Sequence, residues 1–192
     1  RELIRSIEEH FGLQITDSAL RTSIRLYNSS RRLLQRIDEL RSGPEVRISG
    51  QDALAVVLAG SSMPRERYTS ILEGLVKSVE SAPGRAEGKT RLMLVGSASA
   101  DLDVIRLIED SGAIVVVDTL CFGARSYSDL TDEKDDPVSA LSRRYLSNSL
   151  CPRMFGYYRN RLSHILDKAK KARVDGVILQ NIRFCDLHGS EN

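Results

Sequence analysis

Apolar residues recur every three or four positions through the first eighty residues, which is the spacing of one face of an α-helix. Breaks at Gly12, at Ser42-Gly43-Pro44 and before Pro64 divide this pattern into separate helices, because glycine favours helix ends and proline cannot continue the hydrogen-bond ladder. We expect helices over residues 1–12, 17–42 and 53–59, and a further one that begins at Pro64. The first part of the chain is therefore predicted to be all-helical.

The long second helix is rich in charge. Its length and the small net charge of the chain favour an ordinary solvent-facing helix surface. The residues assigned to that surface are Arg21, Arg25, Arg31, Arg32, Arg36, Asp38, Glu39 and Arg41.

The pattern changes after a segment rich in small and turn-forming residues at 83–90, which we interpret as a linker. Short apolar runs at 92–95 and 114–117 predict buried strands that flank a helix, and a third such run begins at Gly176. This order predicts a βαβ unit with parallel strands. The predicted fold class is α/β, with a helical segment over 1–82 and a three-layer, Rossmann- or flavodoxin-like domain over 91–192.

The ends of the chain suggest a piece of a longer protein. The sequence begins without Met inside a predicted helix and stops at Ser190-Glu191-Asn192, a helix-cap sequence with no helix after it. We therefore expect the α/β domain to be truncated at its C-terminal end.

Composition excludes several classes of protein. Hydrophobic residues make up 41% and charged residues 28%, with a formal net charge of +2. These values favour neither nucleic acid nor an anionic membrane as a partner. No apolar run approaches the roughly 18 residues that a membrane span needs. The expected location is the cytoplasm.

The turn from Gly96 to Ala100 leads from a strand into a helix and could present amide groups to a phosphate. It lacks both the three-glycine dinucleotide motif and the Gly-Lys-Ser/Thr ending of a nucleotide loop. Asp101 and Asp103 follow it and would repel phosphate. We favour a structural turn.

Three cysteines follow or precede the ends of predicted elements: Cys121 comes after a strand, Cys151 after a helix, and Cys185 at the end of the apolar run from Gly176. Their odd number and wide spacing fit neither a disulfide framework nor a zinc ribbon. His188 could complete a four-ligand site. They could also be small buried hydrophobes, as most free cysteines are. An iron–sulfur cluster fits widely spaced thiolates, and three thiolates leave one iron open to a substrate oxygen.

Several short motifs occur in a fixed order along the chain. Two lie on the long helix, in Leu20-Arg21 and Tyr27-Asn28-x-x-Arg31-x-Leu33. The others surround the cysteines: Asp118-x-x-Cys121-x-Gly123-x-Arg125, Asp136-Pro137, Arg144-Tyr145-Leu146, Cys151-Pro152, Asp175-Gly176-Val177-Ile178 and Phe184-Cys185-Asp186. In this order the chain resembles the 2-hydroxyacyl-CoA dehydratase and benzoyl-CoA reductase family, as a subunit similar to the 2-hydroxyglutaryl-CoA dehydratase D-component. The resemblance covers the whole chain but only the middle of the family's length.

The resemblance implies an oxygen-sensitive cytoplasmic enzyme made of two related subunits, with a [4Fe–4S] cluster between α/β domains. Electrons would come from a separate ATP-hydrolysing activator that carries its own iron–sulfur cluster. One-electron reduction of an acyl-CoA thioester would give a ketyl radical, which either expels a 2-hydroxyl group or takes a proton into an aromatic ring. Part of the cluster site would lie outside this chain, which alone would be inactive.

The same resemblance suggests roles for four residues. Cys151 and Cys185 are the strongest candidates for cluster ligands, and Cys121 either binds the cluster or lines the site. Arg125 would neutralise cluster charge or a CoA phosphate. Alternatively, it forms a surface ion pair with Asp129 or Asp132, an arrangement that is common on protein surfaces.

Two other functions stay open at this point. Within the family, the chain could belong to a homodimeric reductase of small molecules that carries a larger double-cubane iron–sulfur cluster. From another class, it could be a non-catalytic α/β scaffold module whose thiols are buried in its core.

Overall fold

The computed structural model describes residues 1–84, 88–147, 150–151, 154 and 156–186. Seven α-helices form within these residues: α1 Glu2–Phe11, α2 Asp17–Ser42, α3 Gly50–Ala59, α4 Arg65–Glu80, α5 Leu102–Asp110, α6 Pro137–Leu146 and α7 Tyr158–Ala172. The strands are β1 Thr90–Gly96, β2 Ala113–Asp118 and β3 Gly176–Gln180, and a 3-10 helix spans Ala124–Ser126. The predicted α/β class is confirmed. Residues 85–87 of the expected linker lie outside the described residues.

Side-chain caps fix where several helices begin. The Thr16 hydroxyl accepts a hydrogen bond from the Ala19 amide at the start of α2, and Ser49 accepts from the Asp52 amide at the start of α3. These caps satisfy amide groups that have no partner inside the helix. Because Ser49 is the cap, α3 begins at Gly50, before the first residue of the apolar run that predicted it.

The three strands form one parallel sheet in the order β2-β1-β3. Met93 of β1 pairs with Val177 of β3, and the ladder between these strands ends where Gly96 pairs with Gln180. The strand therefore ends at Gln180, short of the predicted run to Phe184, because β1 offers no partner beyond Gly96. Parallel strands place their carboxyl ends at one edge, where Cys121 and Cys185 follow β2 and β3.

Helices cover both faces of the sheet, which gives the predicted three layers. On one face, Met93 and Val116 pack with Ala172 of α7. On the other, Leu94 packs with Ile105 of α5 and with Leu54 of α3. Because α3 shares this core with the sheet, the N-terminal helices and the strands pack against each other directly.

Several apolar residues with the helical spacing of a core face are exposed. Tyr158, Leu162 and Leu166 of α7 lie on the surface, and so does Ile71 of α4. On α7, Ile165 and two alanines form the contact with the sheet, so only a narrow stripe of that helix is covered. Helical periodicity alone therefore overestimated how much of α7 is buried.

Two arginines assigned to a solvent-facing surface of α2 are buried instead. Arg31 is 8% exposed and Arg41 is 2% exposed. Arg41 contacts carboxylates of α2 and β2, and Arg31 lines a cavity described below.

Among the described helices, none combines the length and apolar composition needed to span a bilayer.

Candidate functional site

The loop that carries Cys121 is held by the last residue of β2. One carboxylate oxygen of Asp118 accepts hydrogen bonds from the amides of Leu120, at 3.0 Å, and Ala124, at 2.9 Å. A side chain at Gly123 would clash with this carboxylate, since its Cβ would lie 2.1 Å from Asp118 Oδ1. Glycine is therefore required where the loop closes over Asp118.

Asp118 is itself fixed by a buried ionic network. Arg41 donates to Asp118 Oδ2 at 2.8 Å and to Asp38 Oδ1 at 2.5 Å. Lys168 lies 3.5 Å from Asp38, and the Tyr127 hydroxyl donates to the same carboxylate at 3.2 Å. This network connects α2, β2, the Cys121 loop and α7.

Charge compensation keeps the network ionised although it is buried. Burial alone would lower the pKa of Arg41, but Asp38 and Asp118 hold it above its ordinary value. Burial alone would raise the pKa of Asp38, but Arg41 and Lys168 hold it below its ordinary value. The pKa of Tyr127 is raised well above its ordinary value by burial and by Asp38, so its hydroxyl stays a donor.

Arg125 joins three separate segments at the carboxyl edge of the sheet. Its guanidinium donates to the Gly96 carbonyl at 2.9 Å, to the Leu150 carbonyl at 2.9 Å and to Cys121 Sγ at 2.7 Å. The side chain is buried, and none of its hydrogen bonds among the described residues involves the surface carboxylates suggested for it. Arg125 thus fixes the segment before Cys151 relative to Cys121.

Cys151 is held from the other side by α7. The buried guanidinium of Arg161 donates to the carbonyls of Cys151, at 3.2 Å, and of Met154, at 3.0 Å. The Cys151 side chain is half-buried. Pro152, which follows Cys151 in the motif, lies outside the described residues.

Cys121 and Cys151 line the same cavity, whose volume is about 650 Å³. Cys185 is half-buried in the turn after β3, where its amide donates to the Ile182 carbonyl at 3.0 Å, but it is not among the residues that line this cavity. Within the described part of the chain, no three metal-ligating side chains come together. His188, the possible fourth ligand, lies outside that part.

The rest of the cavity wall is aromatic and basic. Four arginines are among its described lining residues, and none of those residues is an aspartate or a glutamate. The aromatic and basic lining residues are Tyr27, Arg31, Arg65, Tyr68, Phe122, Arg125, Tyr127, Arg144 and Tyr145.

The turn from Gly96 to Ala100 leads into a helix whose first amide groups already have an acceptor. The Asp101 carboxylate caps α5 by accepting hydrogen bonds from the Asp103 and Val104 amides. The backbone of Gly96 lies so close to β3 that a Cβ there would be 2.0 Å from the Gln180 carbonyl oxygen. The glycine therefore serves the packing of β1 against β3.

Sequence reasoning missed the residues that position the cysteine loop and those that give the cavity its charge. Arg41 and Asp118 are 77 positions apart, so no local pattern connects them. Arg144 lies in the last turn of α6, where basic residues are ordinary, and Arg65 begins α4 directly after Pro64. The one available signal was Asp118 itself, a carboxylate at the end of an otherwise apolar strand.

Residues 1–192 match the family model described as 2-hydroxyglutaryl-CoA dehydratase, D-component. The chain is 26% identical over 186 residues to the (R)-phenyllactyl-CoA dehydratase beta subunit of Clostridium sporogenes, an alignment that covers 95% of this chain and 49% of that protein. It is 27% identical over 189 residues to a subunit of benzoyl-CoA reductase from Thauera aromatica, covering 96% and 49%. It is also similar to the (R)-2-hydroxyglutaryl-CoA dehydratase beta subunit of Acidaminococcus fermentans, at 24% identity over 94% of this chain and 48% of that protein.

The chain thus spans about half the length of the relatives that it matches. The family match, by contrast, includes every residue of the chain. The resemblance that the motifs predicted is confirmed, and the chain belongs to the 2-hydroxyglutaryl-CoA dehydratase D-component family, together with subunits of benzoyl-CoA reductase and 2-hydroxyacyl-CoA dehydratases.

Proposed function

We propose that this chain is part of an iron–sulfur subunit of a 2-hydroxyacyl-CoA dehydratase or an ATP-dependent benzoyl-CoA reductase. One observation carries the proposal: Cys121 and Cys151 line one cavity, and the Arg125 guanidinium contacts the Cys121 sulfur there. Relatives that match this chain across about half of their own length are named as subunits of such enzymes.

The donor set at the cavity fits an iron–sulfur cluster. Thiolates are the usual protein ligands of such clusters, and two thiols border this space. Cys121 and Cys151 would each hold an iron of a [4Fe–4S] cluster. Cys185, on the segment that leaves the same sheet edge, is the proposed third ligand from this chain, and further ligands would come from outside it. When bound, the cluster would supply one-electron transfer to the thioester.

Arg125 would place a positive charge where thiolates and a reduced thioester carry negative charge. Its other hydrogen bonds, to the Gly96 and Leu150 carbonyls, fix the guanidinium before any ligand binds. A donor fixed in this way stabilises developing negative charge without having to reorganise. We assign Arg125 to charge compensation at the site.

The aromatic side chains of the cavity would exclude water from the reacting thioester. Tyr127 and Tyr68 are almost fully buried against the cavity, and Phe122 follows Cys121 directly. A dry site protects a strongly reducing electron from side reactions with water. The proposed reaction is one-electron reduction of an acyl-CoA thioester to a ketyl radical.

The proposal includes partners that follow from the family. Two of the relatives are named as beta subunits, which supports a second, related subunit as the partner of this chain. Electrons would come from an ATP-dependent iron–sulfur activator, and the complex would work in the cytoplasm, protected from oxygen.

The test is to purify the protein anaerobically together with its partner subunit and to measure iron, acid-labile sulfide and the EPR spectrum after reduction. We expect about four irons per subunit in the wild type. Iron content should fall in Cys121→Ala, Cys151→Ala and Cys185→Ala. Ser61→Ala serves as the matched control, because Ser61 lines the same cavity and carries no sulfur.

Iron-free wild-type protein under these conditions would refute the proposal. It would leave a non-catalytic module as the alternative, in which the thiols serve only packing. The half-buried state of all three cysteines does not favour that alternative. Thiol titration of the native, metal-free protein provides a second measurement, because thiols at a metal site should react before unfolding and core thiols only after it.

A further inference from the structure

The cavity beside Cys121 and Cys151 holds an excess of positive charge that the described residues do not neutralise. Its arginines come from four elements: Arg31 from α2, Arg65 from α4, Arg125 from the 3-10 helix and Arg144 from α6. No aspartate or glutamate is among its described lining residues. The buried Arg41, outside this cavity, is by contrast paired with Asp38 and Asp118.

The hydrogen bonds of three of these arginines go to neutral acceptors. Arg31 donates to the Asn28 side-chain oxygen at 3.1 Å and to the Thr131 hydroxyl at 3.5 Å. Arg144 donates to two backbone carbonyls, and Arg65 donates to the Gly60 carbonyl at 3.3 Å. The Nε atom of Arg65 is buried without an acceptor among the described residues.

A guanidinium charge with no carboxylate partner among the described residues is costly to bury, particularly at Arg31, which is almost fully buried. Burial lowers the pKa of Arg31, and the neighbouring Arg144 and Arg65 lower it further. Tyr27 compensates only part of this cost. Its ring lies under the guanidinium carbon of Arg65 at 4.3 Å and of Arg31 at 5.7 Å.

Stacking on an aromatic ring also orients a guanidinium for binding. The ring contacts the face of the planar group, which leaves the in-plane N–H groups available to an acceptor. Because both guanidinium carbons lie within 6 Å of the centroid of the Tyr27 ring, they are at most about 10 Å apart. Planar N–H pairs fit the oxygen geometry of carboxylates and phosphates, often with two parallel hydrogen bonds.

We propose that Arg31, Arg65 and Arg144 form an oxyanion-binding subsite that holds the anionic group of the thioester substrate, next to the cysteine side of the same cavity. The ligand class is a carboxylate at the end of an acyl chain or a phosphate of CoA. The identity of the molecule that carries this group rests on the proposed function. Arg125, in contact with Cys121, belongs to the cysteine side.

The test is calorimetric titration of the purified, metal-free protein with CoA, butyryl-CoA and glutaryl-CoA. Arg31→Gln, Arg65→Gln and Arg144→Gln should each weaken binding roughly 10- to 100-fold, the loss expected for a hydrogen bond to a charged group. Arg67→Gln is the matched control, because Arg67 is exposed on the same helix as Arg65 and does not line the cavity. We expect it to bind like the wild type.

The three ligands distinguish the two sources of the anion. Equal weakening for all of them identifies a CoA phosphate, whereas weakening for glutaryl-CoA alone identifies an acyl carboxylate. Either result supports the subsite. If the wild type binds none of them, or if Arg65→Gln and Arg144→Gln bind like Arg67→Gln, the proposal is wrong.

Two features keep this test decisive. Arg65 and Arg144 are only half-buried, so their variants remain informative even if Arg31→Gln does not fold. The titration uses metal-free protein, whereas the iron determination uses protein purified anaerobically. The subsite and the iron–sulfur cluster are therefore tested independently. A protein without iron that still binds these ligands through the arginines would refute the iron–sulfur enzyme and leave the oxyanion subsite standing.

Discussion

Replacement of Asp118 by Asn tests whether the buried network holds the Cys121 loop. The carboxylate has two roles: Oδ1 accepts from the Leu120 and Ala124 amides, and Oδ2 accepts from Arg41 at 2.8 Å. Asparagine keeps the size of the side chain and can keep the first role. It loses the second, because its amide N–H group would then face the N–H group of Arg41.

The expected cost follows from burial. The side chains of Arg41 and Asp118 are 2% and 5% exposed, so solvent cannot replace the lost charge. Removal of one partner from a buried ion pair typically costs about 3–5 kcal/mol. Because Asp38 still contacts Arg41, we expect the lower end, about 3 kcal/mol. For a chain of this size, this loss corresponds to a decrease in Tm of roughly 6–12 °C.

The assay is urea unfolding at pH 7, followed by circular dichroism. Asp103→Asn is the matched control, because Asp103 pairs with Arg106 on α5 with both side chains largely exposed. Exposed pairs contribute at most about 1 kcal/mol. If Asp118→Asn lost no more free energy of unfolding than Asp103→Asn, the network would not be what stabilises this region.

Three further predictions concern the same part of the fold and its surroundings. Gly123→Ala should lower the free energy of unfolding by about 1–3 kcal/mol, because its Cβ would overlap Asp118 Oδ1; unchanged urea stability would contradict this packing. Gly74→Ala should instead raise it by about 0.5–1 kcal/mol, since this glycine lies inside α4 with no atom within 4 Å of the added Cβ; a decrease would show a contact that the structure lacks. Acid should weaken the fold through Asp38. Burial opposes ionisation of this carboxyl group, but Arg41 holds its pKa in the folded state below the ordinary value. The stabilisation that ionised Asp38 gives to the fold is therefore present above about pH 4 and is lost as pH falls through the folded pKa. Urea midpoints between pH 5 and pH 2 should therefore fall less steeply in Asp38→Asn than in the wild type, and parallel slopes would refute the role of Asp38.

The family and the order of the elements could be predicted because both depend on local information. Capping residues, glycines and changes of periodicity mark the helix and strand boundaries, which agree with the structure to within a few residues over most of the chain. The motifs around the three cysteines carried the family resemblance. The division at 83–90 and the assignment of the cluster ligands stay predictions.

Errors arose where burial depends on distant partners. The apolar residues of α7 that are exposed, such as Leu162 and Leu166, have helical spacing like that of a core face. Arg31 and Arg41 look like surface residues because their contacts lie about a hundred and 77 positions away, at Thr131 and Asp118. Periodicity records which side of a helix a residue occupies and not what covers that side.

By itself, the sequence determined the α/β class, the family and the three thiols as candidate ligands. Residue types and the order of helices and strands can be inferred from local sequence patterns. Only the tertiary structure placed Cys121 and Cys151 on one cavity, separated Cys185 from its lining, and collected four arginines there without a described carboxylate. The physical reason is that a cavity and its charge arise from residues on different elements. The packing of those elements sets the distances between the lining residues. The spacing of these residues in the sequence does not reveal those distances.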